Sequence, residues 1–180
     1  LNLDYDKIIK DAEQKISLQN GNSETALVNQ NKKNGDDFEK FIVQKFNRKA
    51  FRLKGWAGDK YVNGIYADTT SQPDLHLSCN FGKQKDEFSV ECKWRQKLSE
   101  KGVEFANLAQ FERYKVFEQQ QEHPVFIAIG IGGSGHSPEQ LFLVPLAELK
   151  SNFISLEMLQ KYKKTVDSRF FYDAATKILK

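Results

Sequence analysis

Apolar and polar positions along the chain change period several times, and each change marks an element. Leu3, Ile8, Ile9, Ala12 and Ile16 recur at helical spacing over residues 3–18. Asn20-Gly21-Asn22-Ser23 then breaks the chain and offers a cap for a second helical stretch. Asn34-Gly35-Asp36 reads as another break, with Asp36 placed to cap a helix running to about Lys49. Phe51 to Trp56 reads as a strand, and the Gly- and Asp-rich stretch 57–72 as a loop. Pro73 opens a short strand, Asp74 to Cys79, with alternating Leu75 and Leu77. From Glu87 to Trp94 the period is two: Phe88, Val90 and Cys92 face one way, Ser89, Glu91 and Lys93 the other. A helix is predicted from about Val103 to Gln121, ended by His123-Pro124. Val125 to Ile131 is nearly continuous in apolar residues, as expected of a central strand covered on both faces. Gln140 to Leu146 is a further strand, followed by a helix over Ser155 to Lys163 and an aromatic segment, Arg169 to Tyr172. The order helix, three strands, helix, two strands predicts a mixed α/β layer fold.

Composition narrows the class without naming a function. A chain of 180 residues suits one domain with a real core, and 14 Phe offset an apolar share of only 39%. No stretch approaches the roughly 20 apolar residues of a membrane span, and no secretory leader is visible. Cys79 and Cys92 form no C-x-x-C pair, which predicts reduced, buried thiols in a cytoplasmic protein. A net charge of +3 permits a polyanionic partner without demanding one. Residues 1–33 are expected to form a helical N-terminal arm. Residues 34–180 are expected to form the functional domain, with a core over about 35–146 and a helical and aromatic extension over 147–180.

The chemistry sits on the alternating strand. Glu91 and Lys93, two apart, project from one face, and Asp74 begins the preceding strand, which suits an antiparallel neighbour. Carboxylates that converge with a lysine are what phosphodiester cleavage requires. They hold a divalent cation, and the ammonium orients water and offsets the charge that builds on phosphate. Glu39 falls on the helical arc marked by Ile42, Val43 and Phe46, a costly place for a carboxylate unless it is paired or binds metal. Basic residues that could meet phosphates are Arg95 and Lys97, beside Trp94 and Lys101, and more weakly Lys54 and Lys60 around Gly55-Trp56-Ala57-Gly58.

Pro73-Asp74 followed by Glu91-Cys92-Lys93 resembles the signature of the PD-(D/E)XK, or restriction-endonuclease-like, nuclease superfamily. The resemblance covers roughly residues 35–146 and implies a restriction-endonuclease-like core, a mixed central β-sheet flanked by helices. It implies Asp74 and Glu91 as metal ligands, Glu39 as a further ligand from the first core helix, and Lys93 as the catalytic lysine. Gln110-Phe111-Glu112-Arg113-Tyr114 resembles the Q-x-x-x-Y element of RecB-like members, with Gln110 the stronger of the two supporting residues. The activity that this resemblance implies is that of a Mg²⁺-dependent deoxyribonuclease, with Mn²⁺ able to substitute, that leaves a 5′-phosphate. A restriction or defence setting is favoured over repair or recombination. A homodimer, a partner subunit and a domain before Leu1 are further expectations. The rival from another class is a non-cutting nucleic-acid-binding module that keeps the fold as scaffold.

Other signals are set aside. Gly130, Gly132 and Gly135 match G-x-G-x-x-G formally, but a strand follows where a dinucleotide site needs a helix. His76, His123 and His136 are dispersed without zinc-type spacing, and for His76, which alternation could place near Asp74, a structural role is expected.

Overall fold

A computed structural model describes residues 27–57, 61–62, 65–66, 72–81 and 84–180. Helix α1 covers residues 27–44. It is followed by β1 (Phe51–Trp56), the ribbon of β2 (Tyr61–Val62) and β3 (Ile65–Tyr66), β4 (Leu75–Phe81), β5 (Gln84–Arg95) and β6 (Gly102–Glu104). Next come α2 (Leu108–Gln121), β7 (Val125–Ile131), β8 (Gln140–Pro145), β9 (Phe153–Ser155), α3 (Leu156–Lys161), β10 (Lys163–Lys164), β11 (Tyr172–Asp173) and β12 (Ile178–Leu179). The chain divides into two compact units, Leu1–Lys33 and Asn34–Lys180, and these strands belong to the second. The expected helix over residues 3–18, the break at Asn20–Ser23 and Lys60 lie outside the described residues.

Six strands form one mixed sheet in the order β1-β4-β5-β7-β8-β10. β5 and β7 run parallel, and the neighbouring pairs on either side are antiparallel. A parallel pair needs a crossover, and α2 supplies it. Alternate residues of β7 enter two different cores: Phe126 and Ala128 pack with Phe38 and Ile42 of α1, whereas Ile127 and Ile129 pack with Phe111 and Tyr114 of α2. The near-continuous apolar run of β7 follows from this double burial. The mixed α/β architecture expected from the hydrophobic periods is the one observed.

Departures from the expected elements have local causes. Residues 34–36 do not break the chain, since helix continues through them to Gln44. The Asn34 side chain is satisfied elsewhere, accepting from Gly135 N in the β7–β8 loop at 3.2 Å, so it does not compete with its own backbone. A Cβ on Gly135 would come within 2.0 Å of the Asn34 carbonyl oxygen, which explains the glycine there. α1 ends before Lys49 because Asn47 organises a turn: its carbonyl accepts from Ala50 N and Phe51 N, and its Oδ1 accepts from Lys49 N. The helix predicted from Val103 starts only at Leu108. Val103 pairs instead with Ile154 between β6 and β9, and Asn107 caps α2. Beyond residue 146, β10 adds a sixth strand to the sheet, while Phe170, Tyr172 and Leu179 seal the core on the α1 face. Both cysteines are free and buried. Among the described residues no helix is long and apolar enough to cross a membrane.

Candidate active site

The site arises where β4 stops and β5 continues. Pairing ends at Leu75 opposite Val90. The next residues back are Asp74 and Pro73, and proline has no N–H to extend a ladder. Asp74 replaces the missing strand with its side chain, and its Oδ2 accepts from Cys92 N at 2.8 Å. Its carbonyl accepts from Ala57 N at 2.8 Å, which ties the end of β1 to the same corner. The carboxylate of Asp74 is thereby fixed beside the part of β5 that carries Glu91 and Lys93.

Glu91 is 2% exposed, and its two oxygens have different surroundings. Oε1 accepts from Tyr114 Oη of α2 at 2.6 Å and pairs with Lys93 Nζ at 2.5 Å. Oε2 is buried and has no hydrogen-bond partner among the described residues. Glu39 of α1 adds a third carboxylate from the side of β1, where Trp56 Nε1 donates to its Oε2 at 2.6 Å. Trp56 itself stays 40% exposed at the rim.

Electrostatics tie these groups into one unit. Burial, then the charges of Glu91 and Glu39, push the Asp74 carboxyl well above the ordinary aspartate range, against the opposing pull of Lys93 and the Cys92 amide. Burial likewise raises Glu39, opposed chiefly by the Trp56 hydrogen bond. For Lys93, burial acts to lower the pKa, but Glu91 and Asp74 outweigh it and hold the ammonium above its usual value. Burial and Glu91 also push the Tyr114 phenol up, so it remains a donor. Three carboxylates thus act on one ammonium, and one oxygen of the buried Glu91 has no partner among the described residues. That donor set, all oxygen, is of the kind Mg²⁺ or Mn²⁺ takes, and Asp74, Glu91 and Glu39 are the residues that would hold the ion, although among the described residues their donor atoms are not gathered within 4.8 Å of one another as those of His76, Glu87 and His123 are.

Tyr114→Phe leaves Glu91 Oε1 to Lys93 alone. The expected loss is about 1.5 kcal/mol of metal-free stability, the scale of a hydrogen bond to a charged group. Thermal unfolding in chelator reads this directly, and an unchanged midpoint would deny Tyr114 its part in holding Glu91.

Gln110, expected as the stronger of the pair, is engaged elsewhere. Its backbone N donates to Asn107 Oδ1 at 2.8 Å and its Oε1 accepts from Asn107 N at 3.2 Å, closing a capping box at the start of α2. The helix therefore spends Gln110 on its own first turn and presents Tyr114 to the carboxylates. Arg95, expected to meet phosphate, donates instead to the carbonyls of Trp94 at 3.0 Å and Phe105 at 3.0 Å. It ties the end of β5 to the segment after β6. Trp94 is buried, its Nε1 donating to Gly132 O, so it is a core residue and not a stacking surface. Lys97 and Lys54 are exposed and free to reach a polyanion. The glycine-rich stretch is a hairpin loop between antiparallel β7 and β8, closed by a bridge between Ser134 and Ser137. The histidines are not all dispersed: His76 and His123 meet Glu87 on the sheet, a grouping that three separate segments hid from sequence spacing.

No family model matches the chain, and no curated protein matches it. Among solved structures it is similar to Hjc, a Holliday junction resolvase from the archaeal hyperthermophile Archaeoglobus fulgidus, with a TM-score of 0.47 and 16% identity. The similarity covers 71% of this chain and 93% of that one. A likeness of that size is too slight to transfer an activity, so function must be read from the chain's own side chains.

Proposed function

We propose that the chain is a metal-dependent deoxyribonuclease that hydrolyses phosphodiester bonds within DNA. The observation that carries this reading is Glu91: a buried carboxylate with one oxygen held by Tyr114 and Lys93 and the other without a partner among the described residues, in electrostatic contact with Asp74 and Glu39. A buried carboxylate oxygen left unsatisfied costs free energy, and a cation bound there would offset that cost.

When bound, Mg²⁺ would make a water more acidic and offset charge on the scissile phosphate. The chain's own residues do the rest. Asp74 is fixed by the Cys92 amide and Glu91 by Tyr114, so the ligands are set before substrate arrives. Lys93, 21% exposed, reaches from the buried carboxylate towards solvent. Its raised pKa keeps it an ammonium at neutral pH, so it acts as a donor to water and to the phosphoryl oxygen and not as a base. Water oxygen bonds to phosphorus and releases a proton to solvent, the bond from phosphorus to the 3′-oxygen breaks, and that oxygen takes up a proton from solvent. The products are a 5′-phosphate and a 3′-hydroxyl.

A defence enzyme that cuts foreign duplex and a recombination or repair enzyme that cuts branches would share this chemistry. Supercoiled plasmid, single strands and four-way branched DNA, each incubated with Mg²⁺, Mn²⁺ or EDTA, separate them. Metal-dependent nicking of plasmid is expected under the defence setting, and preference for branched DNA assigns the other. DNA binding in EDTA with no cutting of any substrate in either metal would overturn the reading in favour of a non-cutting binding module.

A further inference from the structure

A second group of metal-ligating side chains lies on the same face of the sheet, away from the carboxylates around Glu91. Glu87 and Glu91 are four residues apart on β5, about 13 Å at strand rise, and both belong to the face on which α2 packs. His76 of β4 stands opposite Ser89 of β5, and His123 lies in the turn between α2 and β7. One donor atom from each of His76, Glu87 and His123 lies within 4.8 Å of the other two. His76 Nε2 already donates to Glu87 Oε2 at 3.1 Å. The two imidazoles lie nearly parallel, 5.1 Å apart at 22°. Ser89 Oγ and His123 Nε2 share a 3.0 Å hydrogen bond, and Phe117 of α2 meets the His123 ring edge-on at 5.7 Å.

We propose that His76, Glu87 and His123 bind a zinc-class divalent ion, a site separate from the acidic one and independent of the phosphodiesterase reading. Two imidazoles and one carboxylate are the donors such ions prefer, and three protein ligands leave a position for water. Tetrahedral coordination at zinc–nitrogen and zinc–oxygen distances places donors roughly 3.3 Å apart. The His76–Glu87 pair has that spacing, and the remaining gaps close by at most about 1.5 Å through side-chain rotation. A neutral imidazole and an ionised carboxylate are the forms a metal takes. The ion clips β4, β5 and the turn after α2 together, and so steadies the helix that carries Tyr114.

The test is a titration of the full, metal-stripped chain with Co²⁺ in excess Mg²⁺, which occupies the oxygen-only site. One equivalent is expected to give the intense visible band of a four- or five-coordinate ion and to broaden the imidazole NMR signals of His76 and His123 in the wild-type chain. Affinity is expected to fall roughly 10- to 100-fold or more in His76→Ala and in His123→Ala and to persist in Glu91→Gln, while Zn²⁺ raises the wild-type unfolding midpoint. The proposal is overturned if no band forms and the wild-type histidine signals stay sharp, or if the band survives both histidine substitutions. Loss of the band in Glu91→Gln would also overturn it, because cobalt would then sit at the acidic site.

Discussion

Lys93→Ala is expected to lower cleavage at saturating Mg²⁺ by about 100- to 1,000-fold, the scale of removing one preorganised donor to a developing oxyanion. DNA affinity should change little, because Lys93 is one buried-side cation and the exposed Lys97 and Lys54 remain. The substitution has a second consequence. Without its ammonium, Glu91 keeps only its Tyr114 bond among the described residues, and Asp74 and Glu39 lose the cation that offsets their charge. Breaking a buried pair from one side costs on the order of 3–5 kcal/mol, so the metal-free variant should unfold earlier and recover part of the loss when Mg²⁺ is added. Single-turnover cutting on folded, Mg²⁺-saturated protein isolates the catalytic effect. A rate within a few-fold of wild type would remove Lys93 from the mechanism.

Asp74→Asn should separate stability from activity in the opposite direction. The folded-state pKa of Asp74 is raised, so the stability linked to this group is present when it is protonated and is lost as pH rises through the raised value. Once pH exceeds the ordinary aspartate range, the raised pKa of Asp74 therefore opposes folding of the metal-free chain. Asparagine keeps an oxygen for the Cys92 amide and removes the charge. The metal-free variant is expected to gain on the order of 1 kcal/mol, in keeping with substitutions that relieve strained functional sites, and to unfold about 2–4 °C later for a chain of this size. The gain should shrink as pH is lowered into the range where wild-type Asp74 is protonated. Cleavage should be lost, and added Mg²⁺ should stabilise the wild type more than the variant. A metal-free Asp74→Asn chain less stable than wild type at neutral pH would mean that the carboxylate is structural.

How much of this is legible in the sequence depends on how far apart the interacting residues lie. Period-two alternation over 87–94 placed Glu91 and Lys93 on one face, and β5 puts them there, bonded to each other. The apolar run of β7 was legible because burial on both faces writes itself into local pattern, whereas β1 was found at its expected place although only Phe51 of it is buried. The start of α2 was not. Val103, Phe105 and Ala106 are apolar because β9 and the α2-side core bury them, and helix and strand burial look alike over so short a run. Gln110 and Tyr114 share a helical face, but only the capping box decides that Gln110 turns back to Asn107 while Tyr114 reaches Glu91. The grouping of His76, Glu87 and His123 leaves no local trace at all, since the sheet register brings the three together.

The central claim is that Glu91 anchors a metal-dependent phosphodiester site, and one comparison tests it most directly: supercoiled plasmid incubated with wild type and with Glu91→Gln, each in Mg²⁺ and in EDTA. Glutamine keeps an oxygen for Tyr114 and removes the charge that would hold a cation. Cutting by wild type in Mg²⁺, with none in EDTA and none by the variant in either, is the predicted result. Equal cutting by both proteins, or cutting that survives EDTA, would contradict it.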